Sequence, residues 1–120
     1  MRITKAIIPV AGWGVRRLPI TKAVEKCMLP IGNRPVVDYV VQDCVLAGIT
    51  DIYFVVNQAD TQLEKYYSRN QPLEEYLNFA GKPEYLKFTQ PPRNVNFYYI
   101  DQDAVQKYGT AIPVGLCAPY

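Results

Sequence analysis

The chain has 120 residues, of which 49% are hydrophobic and 20% are charged, a balance typical of a globular domain. Its formal net charge of +2 is too small for nucleic acid to be the expected partner. Because the sequence contains no histidine, catalysis by Ser-His-Asp or Cys-His groups is excluded, as is any zinc site built on imidazole.

The cysteines and the apolar segments indicate where the protein works. The chain has three cysteines, an odd number without a CxxC pair, which favours a reducing compartment and apolar packing for Cys27, Cys44 and Cys117. The N-terminal apolar run is too short for a signal peptide and is interrupted by Pro9. No apolar stretch approaches the roughly 18 residues of a membrane span. We therefore expect a cytoplasmic protein without a membrane partner.

The first predicted element is a buried strand over residues 6–10, followed by a glycine turn. Gly12 and Gly14 allow a sharp turn that presents backbone N–H groups together with those of Ala11. Cations follow this turn closely, namely Arg16, Arg17, Lys22 and Lys26. Backbone donors next to cations suit a polyphosphate ligand. An ordinary strand–loop unit with a solvated basic face remains the alternative.

The next segment predicts a βαβ unit. Residues 32–35 form a turn into a helix, with Asn33 as its cap and Pro35 in its first turn. Apolar residues then recur at helical spacing until Gly48, where the helix should end. Residues 49–56 are β-branched and aromatic, which predicts a second buried strand. This order predicts parallel strands joined by a right-handed crossover.

The remaining elements are less regular. A helix is predicted from position 60 or 61 to about position 70, with Thr61 and Glu64 as a capping box. A second helix is predicted over 72–80, closed by Gly81, and residues 82–94 are predicted to be loop. Residues 96–100 predict a third strand. A further helix should begin at Thr110.

The predicted fold class is α/β, with an open, Rossmann-like parallel sheet and flanking helices. In such sheets ligands bind at the carboxyl ends of the strands. The glycine turn follows the first strand, and the loop over 102–109 follows the third. If those two strands are neighbours, both loops should face the same crevice.

The order of these residues resembles a known signature. The glycine turn with Arg16, then Leu18-Pro19, Thr21-Lys22, Lys26 and Leu29-Pro30, resembles that of the sugar-1-phosphate nucleotidylyltransferases. Within that family the chain is most similar to the bacterial uridylyltransferases that use UTP and glucose 1-phosphate, densely over 5–56 and again over 96–117. Val15 departs from the family, which usually has threonine there.

The resemblance implies roles for individual residues. Arg16 and Lys26 match the family's catalytic cations, which hold the triphosphate and stabilise charge on the attacked phosphorus. Ala11, Gly12 and Gly14 match its nucleotide-binding turn. Gln102 and Gly109 match the residues that bind the base. Asp101 and Asp103 could be mistaken for a metal pair, but neighbouring residues on an extended loop point in different directions, so no metal ligand is assigned.

The resemblance also implies a reaction and a truncation. The family transfers a nucleotidyl group from UTP to glucose 1-phosphate, giving UDP-glucose and pyrophosphate with the help of Mg²⁺. Its Mg²⁺ ligands and its sugar-binding half lie beyond the point that matches Tyr120. Residues 1–120 are therefore expected to form the N-terminal nucleotide-binding lobe, with negligible turnover alone.

Two other functions are alternatives to this one. The first is a catalytically inactive module that binds a nucleotide, or docks onto a full-length relative and regulates it. The second is a dinucleotide-binding fragment of an oxidoreductase, which is disfavoured because Arg17 stands at the third glycine position of GxGxxG. A homo-oligomer is also expected to be compatible with the fold, since an incomplete sheet leaves a strand edge open.

Overall fold

The computed structural model describes residues 2–57 and 62–101. The strands in chain order are β1 (Lys5–Pro9), β2 (Pro30–Ile31), β3 (Arg34–Pro35), β4 (Asp51–Val56) and β5 (Asn96–Asp101). The helices are α1 (Val36–Leu46), α2 (Gln62–Tyr66) and α3 (Gln71–Phe79). Short 3₁₀ turns occupy Val15–Arg17, Ile20–Lys22, Lys26–Met28 and Pro83–Phe88.

Several predictions from the sequence fall on residues outside these ranges. They concern the capping residue Thr61, the loop with Gln102 and Gly109, the helix from Thr110, and the environment of Cys117. Within residues 2–57 and 62–101, no helix combines the length and apolar character needed to traverse a bilayer.

The main sheet has the strand order β1-β4-β5, and both pairs are parallel. The predicted βαβ unit is confirmed, because α1 connects β1 to its parallel neighbour β4. The first and third predicted strands, however, are not neighbours, since β4 lies between them. Two strand spacings of roughly 4.8 Å each therefore separate β1 from β5. The carboxyl ends of all three strands still meet at one edge of the sheet.

The core lies between β4 and the helices α1 and α2. Ile52, Phe54 and Val56 point to one face of the central strand, as alternation along a strand requires, and all are buried. They pack with residues from the two helices and the end of α2, namely Val37, Val41, Leu63 and Tyr67. The ring of Phe54 stacks against Tyr67, Phe97 and Tyr99 at centroid distances of 5.8, 5.9 and 5.7 Å. Stacked aromatic rings therefore join the strands to α2.

The opposite face of the sheet is less covered at its edges. Tyr53 and Val55 are buried there, and Ile100 packs against them. Tyr53 stacks on Tyr98 with ring centroids 4.6 Å apart. Ile7 and Tyr98, on the two outer strands, remain 38% and 39% exposed. The described helices α1 and α2 thus cover one face of the sheet.

The start of α1 differs from the prediction. Asn33 is not the helix cap, because Gly32 and Asn33 form the turn of a small antiparallel hairpin between β2 and β3. Gly32 has φ = 66°, which glycine adopts without strain. Pro35 instead occupies the capping position, and the N–H of Val36 donates to the Leu29 carbonyl at 2.8 Å. The backbone of the hairpin therefore supplies the partner that a polar cap would otherwise provide.

The end of α1 agrees with the prediction. Gly48 has φ = 89°, and its N–H donates to the Val45 carbonyl at 3.1 Å, as expected for a glycine that closes a helix. Cys44 is partly buried against the core, and burial raises the pKa of its thiol. Cys27 is also partly buried against the core. Both thiols have the near-core packing that the sequence predicts.

The segment after α2 is helical over more of its length than predicted. Helix α3 confirms the predicted helix, and Asn70 caps it by accepting a 3.1 Å hydrogen bond from the Leu73 N–H. Residues 82–94, however, are not wholly loop, because Pro83–Phe88 forms a 3₁₀ turn. A proline in the first turn has the φ that such a turn requires, so lack of periodicity did not mean lack of structure.

Candidate functional site

A cleft opens at the carboxyl ends of β1 and β4. Its lining includes Gly12, Trp13, Lys22, Lys26, Asn57 and Gln62. Its volume is about 190 Å³, below the roughly 300–1,000 Å³ of pockets that enclose a whole small molecule. The cleft therefore has the size for a part of a ligand, such as a chain of phosphates.

Gly14 is buried and gives the glycine turn its left-handed backbone conformation. Its φ is 68°, and its carbonyl accepts a 2.7 Å hydrogen bond from the Thr21 hydroxyl. A Cβ at this position would lie 2.8 Å from Thr21 Cγ2 and 3.1 Å from Lys26 Cβ. Both the backbone conformation and the lack of space therefore require glycine.

Gly12 is a different case. It is exposed in the cleft, its φ lies outside the left-handed region, and a Cβ would meet no heavy atom within 4 Å. Neither conformation nor packing within the described chain thus requires glycine here. The remaining physical reason for glycine is the close approach of a ligand to the backbone.

Ala11 joins the glycine turn to the central strand. Its carbonyl oxygen accepts a short hydrogen bond from the side-chain amide of Asn57, the residue that follows β4. This bond holds the segments after β1 and β4 side by side. The floor of the cleft is therefore built from the ends of two parallel strands.

The cations predicted from the sequence divide into two groups. Lys22 and Lys26 are exposed and line the cleft. Arg16 and Arg17 lie on the 3₁₀ turn Val15–Arg17, are also exposed, and are not among the residues that line the cleft. Two lysines and one carboxylate, that of Glu25, therefore line the cleft, and the two arginines lie on the turn between its two lining segments.

The segment between the two lysines is tied to α2. The side-chain amide of Gln62 accepts a 2.8 Å hydrogen bond from the Glu25 N–H and donates one of 3.1 Å to the Ala23 carbonyl. In return, the Glu25 carboxylate accepts a 3.1 Å hydrogen bond from the Leu63 N–H. Leu63 is completely buried in the core. The loop that carries the lysines is thereby connected to the hydrophobic core.

A second, larger cleft of about 460 Å³ lies between α2, α3 and the turn Pro83–Phe88. Its lining combines apolar side chains with polar ones, namely Val24, Met28, Tyr66, Leu73 and Phe88 with Gln62, Lys65, Ser68, Asn70 and Thr89. It contains none of the residues that the sequence analysis assigned to the site. The smaller cleft is the candidate functional site because it combines the glycine turn with two lysines at the carboxyl edge of the sheet.

Metal-ligating side chains do not cluster in threes in the part of the chain that the structure describes. Over residues 2–57 and 62–101, no three Cys, Asp or Glu side chains are grouped so as to hold a metal ion. The Mg²⁺ that the family resemblance implies stays a prediction.

Some residues of the cleft were missed by sequence reasoning. Asn57 could have been found, because it directly follows a predicted buried strand and ligand sites lie at such strand ends. Trp13 lies between the two glycines and is 69% exposed, but its position alone does not indicate a role. Gln62 and Glu25 are 37 residues apart, and no short-range pattern connects them.

Comparisons with known proteins show what the chain is similar to. A family model described as nucleotidyl transferase matches residues 5–117. A Methanocaldococcus jannaschii protein, provisionally named UTP–glucose-1-phosphate uridylyltransferase, is 46% identical over 94% of this chain and 40% of its own length.

Solved structures show the same relationship. UDP-glucose pyrophosphorylase from Acinetobacter baumannii superposes with a TM-score of 0.85 and 35% identity, over 93% of this chain and 39% of that one. The UTP-bound enzyme from A. baumannii gives a TM-score of 0.76 and 34% identity, over 83% of this chain and 36% of that one. The described fold therefore corresponds to part of a nucleotidyltransferase fold. The chain spans about 40% of the length of the curated relative.

Proposed function

Since the chain belongs to the nucleotidyl transferase family, we propose that it is the nucleotide-binding lobe of a UTP–glucose-1-phosphate uridylyltransferase. Its ligand in the cleft is the triphosphate of UTP. The observation that carries this proposal is the combination of an open glycine backbone at Gly12 with Lys22 and Lys26 in one small cleft. Backbone donors and cations at the carboxyl edge of a parallel sheet are suited to phosphates.

The reaction requires positioning more than a protein nucleophile. An oxygen of glucose 1-phosphate attacks the α-phosphorus of UTP, the new O–P bond forms, and the bond to the β-phosphate breaks to release pyrophosphate. Negative charge develops on the transferring group and on the leaving group. Lys26 and Arg16 offset this charge, and the turn at Ala11, Gly12 and Gly14 orients the nucleotide.

Arg16 takes part from outside the cleft that the described residues form. It is exposed on a short 3₁₀ turn directly after the buried Gly14, so its long side chain is free to reach a triphosphate that extends beyond the cleft. The guanidinium group is suited to this role because it presents several donors in a planar fork. Gln102 and Gly109 are proposed to bind the uracil base, as the resemblance implies.

The remaining parts of the proposal concern groups outside the described residues. When bound, Mg²⁺ would supply further charge neutralisation, and we propose that its protein ligands lie outside this chain. Glucose 1-phosphate is proposed as the acceptor because the similar M. jannaschii protein carries that substrate in its name. We also propose a cytoplasmic location, because the cysteine usage favours a reducing compartment.

The experiment that tests the proposal is a titration of the chain with UTP, ATP and NAD by calorimetry. We expect UTP to bind best, because recognition of the uracil base adds to the affinity that binding of the phosphates provides. Preferred binding of NAD, or no binding of UTP at millimolar concentration, would contradict the proposal. With UTP, glucose 1-phosphate and Mg²⁺ present, the 120-residue chain alone should release negligible pyrophosphate.

A further inference from the structure

Lys26 begins a short 3₁₀ turn and has no strand or long helix to hold it. Lys22 ends the preceding 3₁₀ turn, Ile20–Lys22. The stretch between the two lysines therefore needs support from elsewhere if their ammonium groups are to stay at fixed positions. A lysine side chain is a flexible, compact cation, so a mobile backbone beneath it would add to the entropy lost on binding.

From these contacts we infer that Gln62 is a positioning residue for Lys26, acting through a reciprocal hydrogen-bonded clasp with Glu25. This inference rests on the proposed function of the cleft and deepens it. The clasp consists of the Gln62 amide bonded to the backbone at Ala23 and Glu25, and of the Glu25 carboxylate bonded to the Leu63 N–H. Neither bond in the first pair involves the lysine side chains.

The geometry of the clasp explains why a glutamine suits this position. A side-chain amide donates and accepts at the same time, and here it does both on one short segment: the carbonyl of Ala23 accepts from it, and the N–H of Glu25, two residues on, donates to it. These two hydrogen bonds fix the backbone at both ends of the segment 23–25. Lys26 follows immediately, so its backbone direction is set by the clasp.

The clasp connects the loop at the cleft to the hydrophobic core. Leu63 is completely buried and Tyr67 is 5% exposed, so this end of α2 is held by the hydrophobic core. A site on a loop gains precision when supporting hydrogen bonds connect it to such an element. We therefore infer that Lys26 is already positioned for the phosphates before they bind. Less entropy is then lost on binding, and affinity improves without an added contact.

Glu25 lines the cleft next to Lys26, and its carboxylate also takes part in the clasp. A carboxylate in a cleft for anions would repel them, but Glu25 Oε2 is directed at the backbone of α2. Its negative charge is thereby used as a hydrogen-bond acceptor for the helix. Gln62 itself lines the cleft, so a direct contact with the nucleotide is the competing explanation, and the experiment has to separate the two.

A double-mutant cycle on the full chain makes this separation. UTP affinity is measured by calorimetry for the unmodified chain, Gln62→Ala, Lys26→Ala and the double variant, with the thermal midpoint of each. We expect Lys26→Ala to weaken UTP binding by about 10-fold, and Gln62→Ala by about 5-fold, because each removes part of one charge-assisted contact. In the Lys26→Ala background, Gln62→Ala should change the affinity by less than about 2-fold. If Gln62 acts only by positioning the Lys26 side chain, its effect disappears once that side chain is removed.

The control and the outcomes keep the two proposals distinct. Gln71→Ala, an exposed glutamine at the start of α3, should leave UTP affinity unchanged. Equal losses from Gln62→Ala in both backgrounds would overturn the inference and leave the proposed function standing. An unchanged affinity in Lys26→Ala would overturn the role of the cleft and the inference with it. If Gln62→Ala does not fold, Gln62→Met, which keeps the length of the side chain but removes both hydrogen bonds of the amide, is used in the same cycle with the same expectations.

Discussion

The side-chain amide of Asn57 donates a hydrogen bond to the carbonyl oxygen of Ala11. This contact connects the residue after the central strand β4 with the start of the glycine turn after β1. The two strands are parallel neighbours, with Pro9 paired to Val55, so their carboxyl ends meet where the bond forms. Asn57 thus lines the cleft at the end of the central strand and holds the Ala11 backbone in place.

The charge requirement of the cleft is tested by Asn57→Asp. The substitution keeps the size of the side chain but replaces a donor with a negative charge facing Lys22 and Lys26. We expect UTP affinity to fall by about 10-fold or more, through lost support of Ala11 and repulsion of the phosphates. Asn78→Asp, on the exposed side of α3, is the matched control. Equal affinities of the two variants, measured by calorimetry, would argue against phosphates in this cleft.

The two glycines of the turn should respond differently to alanine. Gly14→Ala places a Cβ 2.8 Å from Thr21 Cγ2 at a φ of 68°, so the free energy of unfolding should fall by about 1–3 kcal/mol. Gly12→Ala meets no atom within 4 Å, and stability should change by less than about 0.5 kcal/mol. Denaturant unfolding followed by circular dichroism measures both values.

The same pair separates folding from binding. Gly12→Ala should fold normally and bind UTP more weakly, because its Cβ occupies the space that the phosphates approach. Unchanged UTP affinity in a folded Gly12→Ala chain would mean that no ligand comes close to this backbone.

Arg16→Ala tests the cation outside the cleft. Loss of a charge-assisted contact to the triphosphate should weaken UTP binding by roughly 1–3 kcal/mol. Arg93→Ala, another exposed arginine, serves as the control for a general loss of positive charge. If both arginine variants bind UTP equally well in the calorimeter, Arg16 acts only through the overall field or not at all.

The buried tyrosines predict loss of stability at high pH. Burial raises the pKa of Tyr99 to about 12 and also raises the pKa of Tyr67, which donates to the buried Asp38 carboxylate. A tyrosine whose pKa is higher in the folded state binds its proton more tightly there. The stabilisation is complete below the unfolded pKa of about 10 and decreases as pH rises towards 12. Thermal midpoints between pH 8 and 11.5 should therefore fall above pH 10.

Removing one of these hydroxyl groups identifies the source of the pH effect. Tyr99→Phe should reduce the decrease of the thermal midpoint above pH 10, because one ionisable group is gone. Tyr85→Phe, at a side chain that is 50% exposed, should leave the decrease as it is. Identical pH profiles for both variants and the unmodified chain would exclude Tyr99 as a contributor.

Local sequence patterns were sufficient for the parts of the fold that depend on local physics. The strand β4 has consecutive β-branched and aromatic residues, and Gly48 and Gly81 have the positive φ of helix-closing glycines. The glycine turn and Lys26 were also recognisable, because backbone donors and cations stand close together in the sequence. The fold class followed from the alternation of strands with helices.

What escaped prediction depends on contacts between distant segments. The order β1-β4-β5 follows from how the strands pack, and nothing within a single strand specifies its neighbour. The hairpin at Gly32 has strands of two residues each, too short for any period to show. The clasp of Gln62 with Glu25 arises only when α2 packs beside the loop, so each residue by itself looks like ordinary polar surface.

We propose that the cleft at the ends of β1 and β4 binds the triphosphate of UTP. The most direct measurement is a set of ¹H–¹⁵N NMR spectra of the isotope-labelled chain during a UTP titration, with uridine as the comparison ligand. We predict that UTP shifts the amide signals of Gly12, Trp13, Lys26 and the Asn57 side chain, while those of α3 stay in place and uridine has much smaller effects. Shifts confined to residues remote from the cleft, or equal shifts with uridine, would contradict the account.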